Sequence, residues 1–248
     1  MTKAVLITGA SRGIGRAAAR QAGRLGWSVA VNYVRNHEAA AAVAAEIEQA
    51  GGRAVLLRGD VAVEADVTGM FTTAAKAFGG LDAVVVNAGI VAPASKLAAM
   101  SVERMKRVFD VNVLGAYLCA REAARHLARS SGGRGGSIVI VSSAASRLGS
   151  PGEYVDYAGS KGATDTLTIG LAKELGPDGV RVNAVRPAFI DTEIHATSGR
   201  ADRAQVLGAG TPLGRAGTAE EVAEAIIWLA SDASSYVTGT FIDMAGGR

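Results

Sequence analysis

The sequence predicts an α/β fold: a single domain over residues 1–248, built on a doubly wound parallel sheet of about seven strands with helices on both faces. Three observations carry this. Short apolar runs alternate with longer helical stretches along the whole chain. The apolar runs are unbroken rather than alternating with polar residues, so both faces of each strand are buried. No linker, low-complexity segment or short repeat divides the chain. Aromatics make up only 5 % of the residues and there are 32 glycines, a composition suited to close packing of helices on a sheet.

The elements follow in order. "KAVLIT" (3–8) is a first strand and "GIGRAAARQAGRLG" (13–26) a helix stopped by Gly26. "SVAVNY" (28–33) is a second strand, and the Ala-rich 37–52 a helix closed by a glycine pair. "RAVLLRGD" (53–60), a helix over 64–80 and "LDAVVVNAG" (81–89) repeat the unit. Residues 101–130 read as one long helix, with Ser101 as N-cap and Glu103 in its first turn. "GGRGGSIVIVSS" (132–143) feeds a fifth strand, 154–176 is a helix ended by Gly176 and Pro177, and "GVRVNAVRP" (179–187) is a sixth strand. A helix over 218–232 and a short strand over 238–247 close the chain. Segment 188–217 breaks the rhythm, and an interruption of that size inside a domain reads as functional.

Composition narrows the function classes. The 26 basic and 23 acidic residues leave a net charge of +3; the pI near 9.2 therefore reflects a small excess. Arg121, Arg125 and Arg129 recur every four residues and stripe one helix face, read as a solvated or subunit-contact face rather than a nucleic-acid footprint. The single cysteine, Cys119, allows no internal disulfide and fits a cytoplasmic protein. No apolar stretch reaches ~18 residues, so no membrane span is expected. No Cys/His/Asp cluster has metal-ligand spacing, so no metal is expected.

The glycine loop "TGASRGIG" (8–15) follows the first strand and opens the first helix. Gly9, Gly13 and Gly15 let the turn tighten and bring backbone N–H groups to an anion, and the helix N-terminus adds partial positive charge for a pyrophosphate. The end of the second strand, where an acidic residue would hold a ribose 2′-hydroxyl, carries Asn32 and Tyr33 instead; Glu38 falls in the next helix. With no carboxylate to repel a 2′-phosphate, and with Arg12 and Arg35 nearby, NADP(H) is favoured over NAD(H).

In "EYVDYAGSKGA" (153–163), Tyr157 and Lys161 are four apart and share a helix face. A free phenol titrates at ~10 and is a poor acid–base group near neutrality. A neighbouring ammonium would lower that value, letting Tyr157 exchange a proton with a substrate oxygen while hydride moves at carbon. Tyr154 has no basic partner at that spacing and reads as packing or pocket lining. Ser142 and Ser143 end the fifth strand, where a hydroxyl can hold the substrate oxygen.

These motifs, in this chain order, resemble the short-chain dehydrogenase/reductase family over essentially the whole chain. The loop is similar to that of its NADP-preferring reductases and of glucose-dehydrogenase-like and 3-oxoacyl-reductase-like members. The resemblance implies a Rossmann-type domain and a tetrad of Asn112, Ser143, Tyr157 and Lys161. Asn112 would hold a water linking Lys161 to solvent, and Lys161 would also bind the nicotinamide ribose. Matching the loop after the fifth strand places Ser143 on the catalytic position with one extra residue in the loop, which leaves Ser142 as its rival. The cofactor would lie along Gly9, Ser11, Arg12, Gly13, Ile14 and Gly15, with Asn32, Tyr33 and Arg35 at the adenosine ribose. Asp60 and Val61 would stand beside the adenine, Asn87, Ala88 and Gly89 at the turn after the fourth strand, and Pro187, Ile190 and Thr192 at the carboxamide. The family's usual Pro-Gly is here Pro187–Ala188. Residues of about 188–217 would form a substrate lid containing His195, and the 101–130 and 154–176 helices would pair subunits into a homotetramer. The implied activity is reversible hydride transfer between NADP(H) and a small-molecule carbonyl or secondary alcohol. The alternative is an NADP-binding sensor without turnover.

Overall fold

The computed structural model describes residues 2–193 and 203–248. Its elements run β1 (Ala4–Ile7), α1 (Gly13–Arg24), β2 (Ser28–Tyr33), α2 (His37–Gln49), β3 (Arg53–Arg58), α3 (Glu64–Phe78) and β4 (Ala83–Val86). There follow α4 (Val102–Phe109), a π-helical turn (Asp110–Leu114), α5 (Gly115–Leu127), β5 (Gly136–Val141), α6 (Ala145–Leu148), α7 (Val155–Leu175) and β6 (Val180–Pro187). The chain ends with β7 (Ile190–Asp191), α8 (Arg203–Gly208), β8 (Gly217–Thr218), α9 (Ala219–Ala230) and β9 (Phe241–Met244).

Seven strands form one sheet in the order β3-β2-β1-β4-β5-β6-β9, and every pairing is parallel. Alternation along each strand sorts the core into two layers. Leu6, Val84, Ile138 and Val182 face Phe71, Leu127 and Leu175 of α3, α5 and α7. Val5, Ile7, Val85 and Val185 face Ala18, Ile47 and Ile226 of α1, α2 and α9. Each fully buried side chain of this kind contributes roughly 1.5–3 kcal/mol, which is why the strands carry no polar face. Strand order reverses between β1 and β4, and that switch point opens a crevice at their C-terminal ends. The glycine loop leaves β1 there, and Asn87–Gly89 leave β4.

Three elements differ from the sequence expectation. The single helix of 101–130 is two helices joined by the π turn. Ser101 does cap its start, accepting from Arg104 N at 3.2 Å, but Asn112 is drawn inward by hydrogen bonds to the loop after β4, which opens the helical register around it. Arg129 lies beyond α5, so only Arg121 and Arg125 share its face; both pair with the buried Glu122, at 3.2 and 2.7 Å. The 188–217 interruption contains α8 and a two-residue parallel pair of β7 with β8; His195 lies outside the described residues. The closing strand is shorter than expected, because only Phe241–Met244 pair with β6.

Candidate active site

The glycine loop is held from behind by side chains. Thr8 Oγ1 accepts from the backbone N–H of Asn87 and Ala88 at 2.9 and 3.0 Å. Asn87 Nδ2 donates back to Thr8 O and Gly9 O at 2.8 and 3.2 Å. Gly9 has φ +64°, a left-handed backbone that glycine adopts without strain. A Cβ on Gly15 would stand 2.5 Å from Asn87 Nδ2, so no larger residue fits between the loop and β4. The N-terminus of α1 has no side-chain cap and no acidic residue in its first turn. Its free N–H groups and partial positive charge suit a pyrophosphate, and the residues present fit a dinucleotide. Thr192 leans over this loop, 3.6 Å from where a Cβ on Gly13 would lie.

At the ribose end the polar side chains of β2 turn inward. Asn32 is buried, its Oδ1 accepting from Gly9 N at 3.0 Å and its Nδ2 donating to Leu57 O and Gly59 O at 3.1 and 3.0 Å. Its side chain staples β2, β3 and the glycine loop together and is spent there, so it is not an open ligand. Tyr33 is also buried, and its hydroxyl pairs with His37 Nδ1 at 2.8 Å. Arg12 and Arg35 are exposed at the same end. Asp60 pairs with Arg107 at 3.1 Å and accepts from Ala62 N at 3.0 Å. Burial alone would raise its carboxyl, but the Ala62 N–H and the Arg107 and Arg35 guanidiniums together hold it below the ordinary range. Val61 is buried against Gly115.

The other wall is built from the end of β5 and the first turns of α7. Lys161 is buried, and its Nζ donates to Val141 O at 2.7 Å and lies 5.7 Å from the centre of the Tyr157 ring. The Ser143 hydroxyl accepts from Ala145 N at 3.1 Å and reaches Tyr157. Ser142 turns the opposite way, donating to Asp165 Oδ1 at 2.6 Å; of the two serines, only Ser143 faces Tyr157. Asn112 Oδ1 accepts from Ile90 N at 2.8 Å, and its Nδ2 donates to Ile90 O and Ser160 Oγ at 2.9 and 3.1 Å. Gly89 closes this corner: a Cβ there would sit 3.4 Å from Asn112 Oδ1 and 3.5 Å from Lys161 Nζ. Pro187 O accepts from Ser143 Oγ at 3.3 Å, and Ile190 is buried just beyond it.

The electrostatics differ from the expectation for Tyr157. Burial pushes its phenol above the ordinary value, with the Ser143 hydrogen bond opposing. Burial also pulls the Lys161 ammonium down to about 8, opposed by Asp165. Desolvation is the largest effect on both groups because they are enclosed together.

Three supporting groups were not anticipated. Arg104 pairs with the buried Asp156 at 2.9 Å and ties α4 to the start of α7. Arg186 pairs with Asp165 at 2.8 Å. Arg203 pairs with Glu153 at 2.6 Å and lies over the buried Tyr154 ring at 5.0 Å. Each joins residues far apart in the chain, so spacing offers no signal; an unbroken apolar strand or helix face interrupted by one charge is the only hint.

Comparison with known proteins shows what the chain is similar to. Residues 9–248 match the family described as enoyl-(acyl carrier protein) reductase. The chain is 53 % identical to the uncharacterized oxidoreductase YgfF of Escherichia coli (strain K12), covering 98 % of each. It is 41 % identical to the L-rhamnose 1-dehydrogenase (NAD(P)(+)) of Sphingomonas sp. (strain SKA58), covering 99 % of this chain and 95 % of that one. The crystal structure of a short-chain type dehydrogenase/reductase from Mycobacterium marinum superposes with a TM-score of 0.91 at 38 % identity, covering 98 % of this chain and 94 % of that one. The chain belongs to the short-chain dehydrogenase/reductase family. As a short-chain dehydrogenase/reductase it has the family's Rossmann fold and an oxidoreductase role, and the family works with nicotinamide cofactors, NAD(P)(H). Among the described residues, no helix is long and apolar enough to cross a membrane.

Proposed function

We propose that this protein transfers hydride reversibly between NADP(H) and a small-molecule carbonyl or secondary alcohol, with Tyr157 as acid–base. The observation that carries the reading is the end of β5, where Val141 O holds Lys161 while Ser143 faces Tyr157. The nicotinamide supplies or accepts the hydride when bound. Ser143 positions the substrate oxygen and Tyr157 gives it a proton as it becomes a hydroxyl. Lys161, held beside the phenol, balances the charge that Tyr157 acquires and binds the ribose. Asn112 fixes the loop after β4 and the path by which the proton is replaced.

Arg12 and Arg35, exposed where no carboxylate stands, support a 2′-phosphate and hence NADP(H). Gly9, Ser11, Gly13, Ile14 and Gly15 take the pyrophosphate, and Asp60, Val61, Asn87, Ala88 and Gly89 line the adenosine side. Pro187, Ile190 and Thr192 take the carboxamide. Exposed Phe109, Leu114, Tyr117 and Ile169, on α4, the π turn, α5 and α7, support a homotetramer through these helices, in a cytoplasmic protein. The test is fluorescence titration with NADPH and NADH, followed by a carbonyl screen comparing the protein with Tyr157→Phe. Tight NADPH binding, with turnover lost only in the variant, upholds the reading. Tight binding without turnover on any carbonyl would instead point to a sensor.

A further inference from the structure

Directly beyond Lys161 lies a buried charged cluster that hydride transfer does not by itself require. Tyr157, Lys161 and Asp165 follow one another at intervals of four on α7 and so form one stripe of the helix. Three consecutive residues of the β5 end meet that stripe. Ser143 reaches Tyr157, Val141 O accepts from Lys161 Nζ at 2.7 Å, and Ser142 Oγ donates to Asp165 Oδ1 at 2.6 Å. On its other oxygen, Asp165 accepts from Arg186 Nε and Nη2 at 3.0 and 2.8 Å. The Arg186 guanidinium stacks on the Phe241 ring at 3.8 Å.

A buried ammonium is costly unless a negative charge stands near it. Among the described residues, the titratable groups facing Lys161 on its own helix are Tyr157 and Asp165. From β5 it meets a carbonyl, and from the β4 loop and the π turn it meets Gly89 and the uncharged Asn112 amide. From β6 comes Arg186, paired to Asp165, with Asp243 of β9 at 3.8 Å from Arg186 and Arg147 of α6 at 3.4 Å from Asp243. Asp165 is thus the one carboxylate in the same stripe as the lysine. It also opposes the fall of Lys161 to about 8.

We propose that Asp165 is the positioning residue for the Tyr157–Lys161 pair. Clamped between Ser142 and Arg186, it fixes the rotation of α7 against β5 and supplies the negative charge that keeps the buried Lys161 protonated. The inference deepens the proposed reaction and rests on the roles given there to Tyr157 and Lys161.

The test reads the lysine directly. Protein carrying 13C-lysine is titrated by NMR, and the Lys161 signal, one of six, is identified by its loss in Lys161→Met. In Asp165→Asn, Lys161 is expected to titrate about one pH unit lower than in the parent protein, and Asp165→Glu to restore most of that change. The double variant Asp165→Asn/Arg186→Gln removes both charges of the pair; it carries the test if Asp165→Asn does not fold, and again Lys161 titrates lower. A folded variant with Lys161 titrating as in the parent overturns the proposal and leaves Asp165 a structural ion pair. In turnover, the alkaline limb of kcat moves to lower pH in Asp165→Asn, whereas a merely structural defect lowers Tm and leaves the profile in place. A parent protein that reduces no carbonyl would defeat the reductase reading, while the NMR titration would still decide the role of Asp165.

Discussion

The two walls of the crevice solve different problems with the same kinds of residue. On the β5–α7 wall, Lys161, Asp165 and Ser142 are buried, and each has a short, directed partner. On the β1–β2 wall the buried Thr8 and Asn32 side chains bond mainly to backbone, and the charged groups, Arg12 and Arg35, stand in solvent. A reacting group must be held to a fraction of an ångström, so its neighbours are enclosed and locked. A phosphate can be attracted by guanidiniums that reorganise on binding. Under the proposed function, burial marks the wall where bonds change and exposure the wall where charge is recognised.

Four substitutions or conditions sharpen or break that contrast. The largest effect is expected from Tyr157→Phe, with kcat falling by about 10²–10⁴-fold while NADPH affinity and Tm hold. A variant that retained turnover would move the chemistry away from the buried wall. Next is Asn32→Ala, which leaves the Gly9 N–H and the strand carbonyls without their partner. A loss of about 1–3 kcal/mol in chemical denaturation is expected, together with weaker binding of both NADPH and NADH; weaker binding at unchanged stability would restore Asn32 as a ligand. Third, Arg12→Ala and Arg35→Ala should each weaken NADPH binding by about tenfold, the loss of one charge-assisted contact, with NADH binding and Tm unmoved. A parallel fall in NADH affinity would deny the 2′-phosphate role.

The smallest effect is a pH dependence. The Lys161 ammonium is about 8 in the folded chain against an ordinary 10.5, so between these values the unfolded state binds more protons. Lys161 therefore lowers stability most below about pH 8, and that burden lifts as pH rises towards 10.5. Denaturation of the parent and Lys161→Met at pH 7 to 10 should show the parent gaining relative to the variant through that window. A constant difference would place the lysine in water.

The sequence made the frame legible. Unbroken runs such as "AVVV" demand burial on both faces, and a glycine loop between strand and helix has few other uses. Tyr157 and Lys161 were legible because a spacing of four fixes their face whatever surrounds them. The bonding of the Asn32 amide was hidden because strand position gives the face of a side chain but not where its amide ends. The π turn at Asn112 was hidden for a related reason: it depends on hydrogen bonds to Ile90, 22 residues away, and no local preference encodes it. The turn of Ser142 away from Tyr157 was hidden likewise, because its partner Asp165 comes from another element.

The π turn also bears on how this chain tolerates change in length. A π turn is a helix carrying one residue more than its α-helical neighbours need. Deleting any one of residues 110–114 would let the backbone relax into regular α-helix with its two flanks kept in phase, whereas the same deletion inside α4 or α5 would rotate one side against the other by about 100°. The first change would cost Asn112 its inward set and its bonds to Ile90; the second would turn the α5 face that meets β4 and β5 towards solvent. A deletion among the exposed residues 130–132 would disturb the Ser130–Asp178 hydrogen bonds but turn no helix face. Insertions and deletions in this chain should therefore be filtered hardest at the middle of a helix, and most leniently in the connection that follows it.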